Sequence, residues 1–160
     1  MPALLDVFYP IVPDSTWMAR LVPLGIRTVQ LRLKDASGHE IIRQIGECLA
    51  ICRVHDCQLI VNDYWRAAID LGATAIHIGQ EDLATADLDA IKAAGLRLGI
   101  SSHDEAELET ALSADPDYVA LGPIYETKLK TMKWAPQGLA RVAGWESRIS
   151  ALTLVARGGL

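Results

Sequence analysis

Short apolar runs alternate along this chain with amphipathic segments, and this alternation restricts the fold more than any other feature of the sequence. The runs are apolar at consecutive positions, as strands covered on both faces are, and the segments between them are long enough for helices. Strands that alternate with helices pair in parallel through right-handed crossovers. The sequence therefore predicts an α/β fold with a parallel sheet.

The pattern places seven strands and six helices. The predicted strands are residues 7–12, 28–33, 58–61, 75–78, 97–100, 118–121 and 152–156. The predicted helices are residues 15–24, 39–55, 64–71, 87–94, 104–114 and 136–148. Ser15 and Asp104 are predicted to cap helices, and Pro136 to begin one.

Composition narrows the class of protein. The 160 residues are enough for one domain, which we expect to span residues 1–160, and 51% are hydrophobic. The net charge of −5 argues against broad binding to nucleic acid or anionic membranes. No run approaches the roughly 18 apolar residues of a membrane span, and no signal peptide is evident. Cys48, Cys52 and Cys57 lack zinc spacing and are predicted to be reduced thiols, as in a cytoplasmic protein.

Polar side chains follow the apolar runs, where each predicted strand ends. They are Gln30, Arg32, Lys34, Asn62, Asp63, His77, Asp82, Ser101, Thr127 and Lys130. A parallel α/β barrel builds its active site from such positions at one rim. The mixture of cations, carboxylates and amides favours a phosphorylated ligand held with a divalent metal.

Gln30, Arg32 and Lys34 are predicted to share one face of their strand, because side chains alternate with period two. An amide, a guanidinium and an ammonium on one face are suited to pyrophosphate, since arginine binds its oxygens bidentately and lysine adds charge. The alternative is a solvated strand end with salt bridges.

Asp63 and Asp82 follow neighbouring predicted strands, and two carboxylates beside phosphate-binding cations suit magnesium. The alternatives are that Asp63 caps the helix that starts near Tyr64, and that Asp82 caps a turn before Leu83. His77, a lone histidine in an apolar run, is more often a buried core residue than a catalyst.

Ser101 and Ser102 precede a predicted helix, where hydroxyls and free amides bind phosphate well. Either serine could instead be a plain helix cap. In the lysine-rich loop, Lys128 and Lys133 are most simply solvated surface charges. The glycines after the seventh run allow close backbone approach to a phosphate, or an ordinary turn.

Several stretches together resemble the thiamine phosphate synthase family. They are residues 30–35 (QLRLKD), 61–66 (VNDYWR), 77–83 (HIGQEDL), 98–101 (LGIS), 120–124 (ALGPI) and 135–139 (APQGL). The resemblance implies a closed eight-stranded TIM-type barrel, from which this chain lacks the last helix, the eighth strand and the final helix. It also implies a magnesium-dependent transferase that couples hydroxymethylpyrimidine pyrophosphate to thiazole phosphate, giving thiamine phosphate and pyrophosphate. Its partners would be these small molecules, without nucleic acid or membrane.

The resemblance also implies a role for individual residues. The pyrimidine pyrophosphate would meet Gln30, Leu31, Arg32, Leu33, Lys34, Asn62, Ser101 and Lys130. Arg32, Lys34 and Lys130 would be the catalytic cations, and Asp63 and Asp82 would hold magnesium. The thiazole phosphate would face Thr127, Lys128, Leu129 and the backbone near Gly159.

Three features depart from the family pattern. Leu129 replaces a hydroxyl donor, and Glu126 adds negative charge beside an anion site. Arg157 interrupts a strand that is usually apolar, where a charge is costly unless it is paired. The third departure is the short carboxyl-terminal part, which would leave unpaired strand edges and invite self-association into a homo-oligomer.

Alternative interpretations stay open at this point. The sequence is compatible with a fragment, with a barrel completed by a partner or a second copy, or with an inactive relative that binds a phosphorylated ligand. A thiazole tautomerase is a further alternative, but it would not need Arg32, Lys34, Asp63 and Asp82 together.

Overall fold

Helices alternate with parallel strands along the described chain, as the apolar runs predict. The computed structural model describes residues 5–126, 133–149 and 151–158. Its strands are Ile11–Val12 (β1), Thr28–Leu31 (β2), Gln58–Asn62 (β3), Ala75–Ile78 (β4), Arg97–Ser102 (β5), Tyr118–Leu121 (β6) and Thr153–Ala156 (β7). Its α-helices are Ser15–Leu21 (α1), Gly38–Val54 (α2), Trp65–Asp70 (α3), Gln80–Leu83 (α4), Leu88–Ala93 (α5), Glu105–Ser113 (α6) and Gly138–Arg148 (α7). Over this part of the chain, no helix is long and apolar enough to cross a membrane.

Short polar side chains begin the helices by accepting from otherwise unpaired backbone N–H groups. Asp14 accepts from the N–H of Trp17 and caps α1, so the predicted cap Ser15 is wrong by one residue. Asp104 caps α6 as predicted, through the N–H of Glu107. These caps fix where the chain leaves each strand and starts the next helix.

The chain divides into two compact units. The first comprises Met1–His77 and Ala86–Arg97, and the second comprises Ile78–Thr85 and Leu98–Leu160. In the first unit β1 pairs with β2, β2 with β3, and β3 with β4, all in parallel. Buried apolar side chains on β2, β3 and α2 form its core.

The second unit contains the parallel pairs β5 with β6 and β6 with β7. Gly99 lies level with Tyr118 in this register, and Ser101 lies level with Ala120. Tyr118 is one of the largest fully buried side chains, and its ring occupies the space that a β-carbon on Gly99 would need. A glycine is therefore required at residue 99 by the packing of the tyrosine ring.

The structure corrects several predicted bounds. β1 covers two residues rather than six, and Val7, at its predicted start, is fully exposed. β2 ends at Leu31 rather than at residue 33. Pro136 precedes the first residue of α7 by two positions instead of starting the helix. The short helix α4 was not predicted, because four residues are too few to show a helical period.

We expect Gly99→Ala to destabilise the fold, because the added methyl group would overlap the buried Tyr118 ring. Overpacking of this kind costs about 1–3 kcal/mol in the free energy of unfolding. Denaturant unfolding followed by circular dichroism measures the change. Gly46→Ala is the matched control, because nothing lies within 4 Å of a β-carbon there, and it should not destabilise. Equal stability of the two variants would refute the packing argument.

Candidate active site

Three polar side chains at the ends of β2 and β3 form a hydrogen-bonded chain. The Gln30 amide Nε2 donates to Asn62 Oδ1 at 2.7 Å, and Asn62 Nδ2 donates to Asp63 Oδ2. Gln30 and Asn62 are buried, with 0% and 5% of their surface exposed. An ionised carboxylate only accepts hydrogen bonds, so Asp63 turns the NH₂ of Asn62 toward itself. Asn62 then presents its oxygen to Gln30.

With the hydrogen bonds in this direction, one polar atom has no partner. Gln30 Oε1 is buried and has no hydrogen-bond partner among the described residues. A buried acceptor without a donor costs about 1–3 kcal/mol, so such an atom in a native structure calls for an explanation. A ligand that carries an N–H or O–H donor would satisfy it, whereas a bare phosphate oxygen would not.

Asp63 is held by its backbone as well. Its φ angle is 64°, in the left-handed region, and its N–H donates to the His77 carbonyl at 2.9 Å. The N-cap of α3 is Tyr64, without a side-chain cap bond, so the alternative of Asp63 as the helix cap is wrong. His77 lies on β4 with 1% of its surface exposed, as expected of a core residue.

The predicted cations of β2 lie just beyond the strand. Arg32 donates its backbone N–H to the Val12 carbonyl at 2.9 Å, and its side chain is half-buried. Leu31 is buried, Leu33 is half-buried and Lys34 is exposed. Because Arg32 still pairs with Val12 through its backbone, strand alternation supports a common face for Gln30 and Arg32. Lys34 lies three residues beyond β2, where strand alternation no longer applies.

In the second unit, Asp82 and Gln80 lie on the short helix α4. Asp82 is exposed in its first turn, where a carboxylate is favoured by the helix dipole. The Gln80 amide donates to the carbonyls of Ser101, at 2.8 Å, and of Glu107, at 3.2 Å. Gln80 thus links α4 to the end of β5.

Ser101 lies at the end of β5 beside Arg157. The guanidinium Nη1 of Arg157 donates to Ser101 Oγ at 3.0 Å, so the charge that interrupts the seventh apolar run has a partner. Ser102 is fully buried, and its Oγ donates to the Glu107 carbonyl at 3.4 Å. The helix cap is Asp104, so the alternative that either serine caps α6 is wrong.

Sequence reasoning missed a cluster around His103. The His103 ring stacks on Trp134 with centroids 4.0 Å apart, and its Nδ1 lies 2.7 Å from Glu107 Oε2. The Gln137 amide donates to the His103 carbonyl at 2.9 Å. Glu107 did carry a signal, because its spacing from Asp104 suggests a capping box. Its carboxylate instead accepts from the His103 N–H at 2.8 Å.

Hydrogen bonds at the start of α6 determine the charge of Asp104. The backbone N–H of Glu107 lowers the pKa of the Asp104 carboxyl below its ordinary value, and the Trp134 side chain contributes a smaller effect in the same direction. The cap of α6 is therefore a carboxylate at neutral pH, and it supports the first turn of the helix that follows Ser101.

The three cysteines are free thiols. Burial raises the pKa of Cys48 to about 12. A hydrogen bond between Cys52 and Cys57 raises the pKa of Cys52 and lowers that of Cys57. No group of three or more His, Cys, Asp or Glu side chains gathers as a metal site in the described ranges.

Five predicted site residues lie outside the described residues: Thr127, Lys128, Leu129, Lys130 and Gly159. Gln30, Asn62 and Asp63 are brought together in the first unit, and Ser101 is brought to Arg157 in the second.

Polar groups at the carboxyl ends of parallel strands are typical of α/β enzymes that bind phosphorylated ligands. A family model described as thiamine monophosphate synthase matches residues 9–160. The chain therefore belongs to the thiamine monophosphate synthase family.

Individual relatives agree with this assignment. A thiamine-phosphate synthase of Rhizobium etli is 57% identical over 156 residues, covering 98% of this chain and 76% of that protein. One of Salmonella choleraesuis is 47% identical over 152 residues, covering 95% and 72%. The solved thiamine phosphate pyrophosphorylase of Pyrococcus furiosus superposes with a TM-score of 0.77 over 95% of this chain and 74% of its own, at 23% identity. At that identity the likeness shows a shared fold.

We expect Asn62→Leu to destabilise the fold by about 1–3 kcal/mol, because it leaves the buried Gln30 NH₂ without an acceptor. Gln30→Leu should cost less, because it orphans the Asn62 oxygen but also removes the unsatisfied Gln30 Oε1. The double variant removes both partners and should cost less than the two single losses together. Unfolding in urea measures all three, and strict additivity would contradict the hydrogen-bonded pair.

Proposed function

We propose that this chain is a thiamine phosphate synthase that couples hydroxymethylpyrimidine pyrophosphate to thiazole phosphate, with release of pyrophosphate. The observation that carries the proposal is the hydrogen-bonded chain Gln30–Asn62–Asp63, which has an unsatisfied amide oxygen at one end and a carboxylate at the other. The half-buried Arg32 follows two residues after Gln30. A pyrimidine ring with donor groups, a diphosphate and a metal ion would each find a matching group there. Membership of the family supports the same reaction.

The proposal includes the organisation of the chain. Residues 1–160 would belong to one (β/α)₈ TIM-type barrel domain. The parallel pairing within each unit and the fold shared with the Pyrococcus protein support a barrel. The free thiols suit a cytoplasmic enzyme.

Each substrate would have its own set of residues. Gln30 Oε1 would accept from a donor on the pyrimidine, and Arg32, Lys34, Ser101 and Lys130 would bind the diphosphate. Thr127, Lys128, Leu129 and the backbone near Gly159 would face the thiazole phosphate. Leu31 and Leu33 stand on either side of Arg32 in the sequence, and Leu31 is buried in the core.

The reaction needs positive charge more than acid–base catalysis. The C–O bond to the diphosphate breaks, which leaves a resonance-stabilised pyrimidinylmethyl cation, and the thiazole nitrogen then attacks this cation. Negative charge accumulates on the departing diphosphate, so preorganised cations lower the barrier. Arg32, Lys34 and Lys130 would supply them. No side-chain nucleophile or strong general base is required, which agrees with a buried structural role for His77.

Magnesium is implied by the family resemblance, and the carboxylates present fit it. Mg²⁺ binds hard oxygen ligands and usually takes one or two carboxylates together with substrate phosphates. Asp63 is oriented by Asn62, and Asp82 is exposed on α4. When bound, the ion would neutralise charge on the diphosphate, and these two carboxylates would hold it.

The direct test is release of pyrophosphate from the purified chain with both substrates and Mg²⁺. Release that requires both substrates together supports the synthase. Tight binding of either substrate without release would favour a ligand-binding relative without turnover, and isomerisation of the thiazole alone would favour a tautomerase. Either of these outcomes overturns the proposal.

Lys130→Ala should lower kcat by about 10²-fold or more, as loss of a preorganised charge does in other enzymes. Lys133→Ala removes an exposed lysine a few residues along the same part of the chain and should leave kcat unchanged. Steady-state kinetics measures both. An unchanged rate in the Lys130 variant would remove this residue from the site.

Asp82→Asn should raise the Mg²⁺ concentration needed for half-maximal activity, because an amide binds the ion more weakly than a carboxylate. Glu81→Gln is the matched control, since Glu81 is also exposed in the first turn of α4. Titration of activity with Mg²⁺ compares the two. Equal metal dependence would show that Asp82 is a helix residue only.

A further inference from the structure

Arg157 follows directly after β7 and has no role yet in the proposed reaction. Its side chain is half-buried rather than solvated. A guanidinium that is partly withdrawn from water needs compensating polar contacts, because its desolvation is unfavourable. An arginine at the end of a parallel strand therefore calls for a local explanation.

The backbone of Arg157 is fixed on both sides. Its N–H donates to the Leu121 carbonyl at 2.8 Å, and its own carbonyl accepts from the Ile124 N–H at 2.9 Å. A β-carbon at Gly122 would come within 2.9 Å of the Arg157 carbonyl oxygen, so this close approach requires glycine. Arg157 is thus held against the end of β6, and its position does not depend on a loose chain end.

The side chain reaches across β6 to β5. Ser101 lies level with Ala120, and Ala120 lies level with Val155, so these three residues face the same side of the sheet. Arg157 is two positions beyond Val155 and shares that side. Ala120 carries only a methyl group, which leaves room for the guanidinium to reach Ser101 Oγ at 3.0 Å.

We propose that Arg157 is a further anion-binding residue of the active site, which with Ser101 binds the diphosphate of the pyrimidine substrate and the pyrophosphate product. This inference rests on the proposed function. A guanidinium and a hydroxyl that already contact each other form a preorganised pair, and arginine binds phosphoryl oxygens bidentately. Arg157 would add a guanidinium from the end of β7 to the hydroxyl that Ser101 supplies at the end of β5.

The assignment commits to the diphosphate rather than to the thiazole phosphate. Both ligands offer phosphoryl oxygens, but Ser101 is the residue that Arg157 contacts, and Ser101 is proposed for the diphosphate. An arginine acting there stabilises the leaving group, so its loss affects pyrophosphate affinity and kcat together.

The experiment is calorimetric titration of inorganic pyrophosphate, with Mg²⁺, into the full chain and its variants. We expect Arg157→Met to weaken binding about tenfold or more, as loss of a charge-assisted contact does. Arg157→Lys should keep part of the affinity, because it retains the charge and loses the bidentate geometry. Arg141→Met is the matched control, since Arg141 is an exposed arginine on α7, and its pyrophosphate affinity should equal that of the unmodified chain.

Several results would overturn the inference. Unchanged pyrophosphate affinity in a folded Arg157→Met variant is one, and an equal loss in Arg141→Met is another, because it would show a general charge effect. A loss confined to a parallel titration with thiazole phosphate would refute the diphosphate assignment. If Arg157→Met does not fold, full pyrophosphate affinity and full kcat in Arg157→Gln would overturn it equally.

The failure of the proposed function has a different signature. An unmodified chain that binds pyrophosphate but releases none from the two substrates would refute the synthase, while the effect of Arg157→Met on pyrophosphate binding would still be measurable. An unmodified chain that releases pyrophosphate normally, with Arg157→Met unaffected in binding and kcat, would refute only the role of Arg157.

Discussion

Parallel pairing of short strands is the constraint on which the rest of this structure depends. In a parallel pair both carboxyl ends lie at the same edge, so polar residues that follow different strands come together without being near in sequence. Asn62 lies level with His77 in the pair β3 with β4, and Gln30 lies level with Ile60 in the pair β2 with β3. In the second unit the same constraint brings Ser101 to Arg157 across β6.

The sequence predicted the bounds of those strands that are continuous apolar runs between polar residues. β4 and β6 have the predicted bounds, because a continuous apolar run needs no knowledge of its neighbours to be recognised as a buried strand. The predicted bounds of β1, in contrast, are wrong. Its predicted first residue, Val7, is fully exposed, and an apolar pattern does not reveal how far a partner strand extends. The end of β2 was missed for the same reason, so Lys34 was wrongly placed on a strand face.

The candidate site was predictable in its residue types but less so in its contacts. Gln30, Asn62 and Ser101 were recognisable from their positions at strand ends and from the family resemblance. The hydrogen bond between Arg157 and Ser101 joins residues 56 positions apart, and no local sequence pattern predicts it. The stack of His103 on Trp134 was missed because a histidine and a tryptophan in separate polar segments carry no periodic signal.

The direction of the hydrogen bonds from Gln30 through Asn62 to Asp63 determines which atom Gln30 offers to a ligand. Asn62 donates its NH₂ to Asp63, and this orientation turns the Asn62 oxygen toward Gln30. A neutral group at residue 63 could donate instead, and both amides could then reverse, which would present an NH₂ rather than an oxygen at the position of Gln30 Oε1. The carboxylate proposed for the metal therefore also orients the amide that is proposed to recognise the pyrimidine.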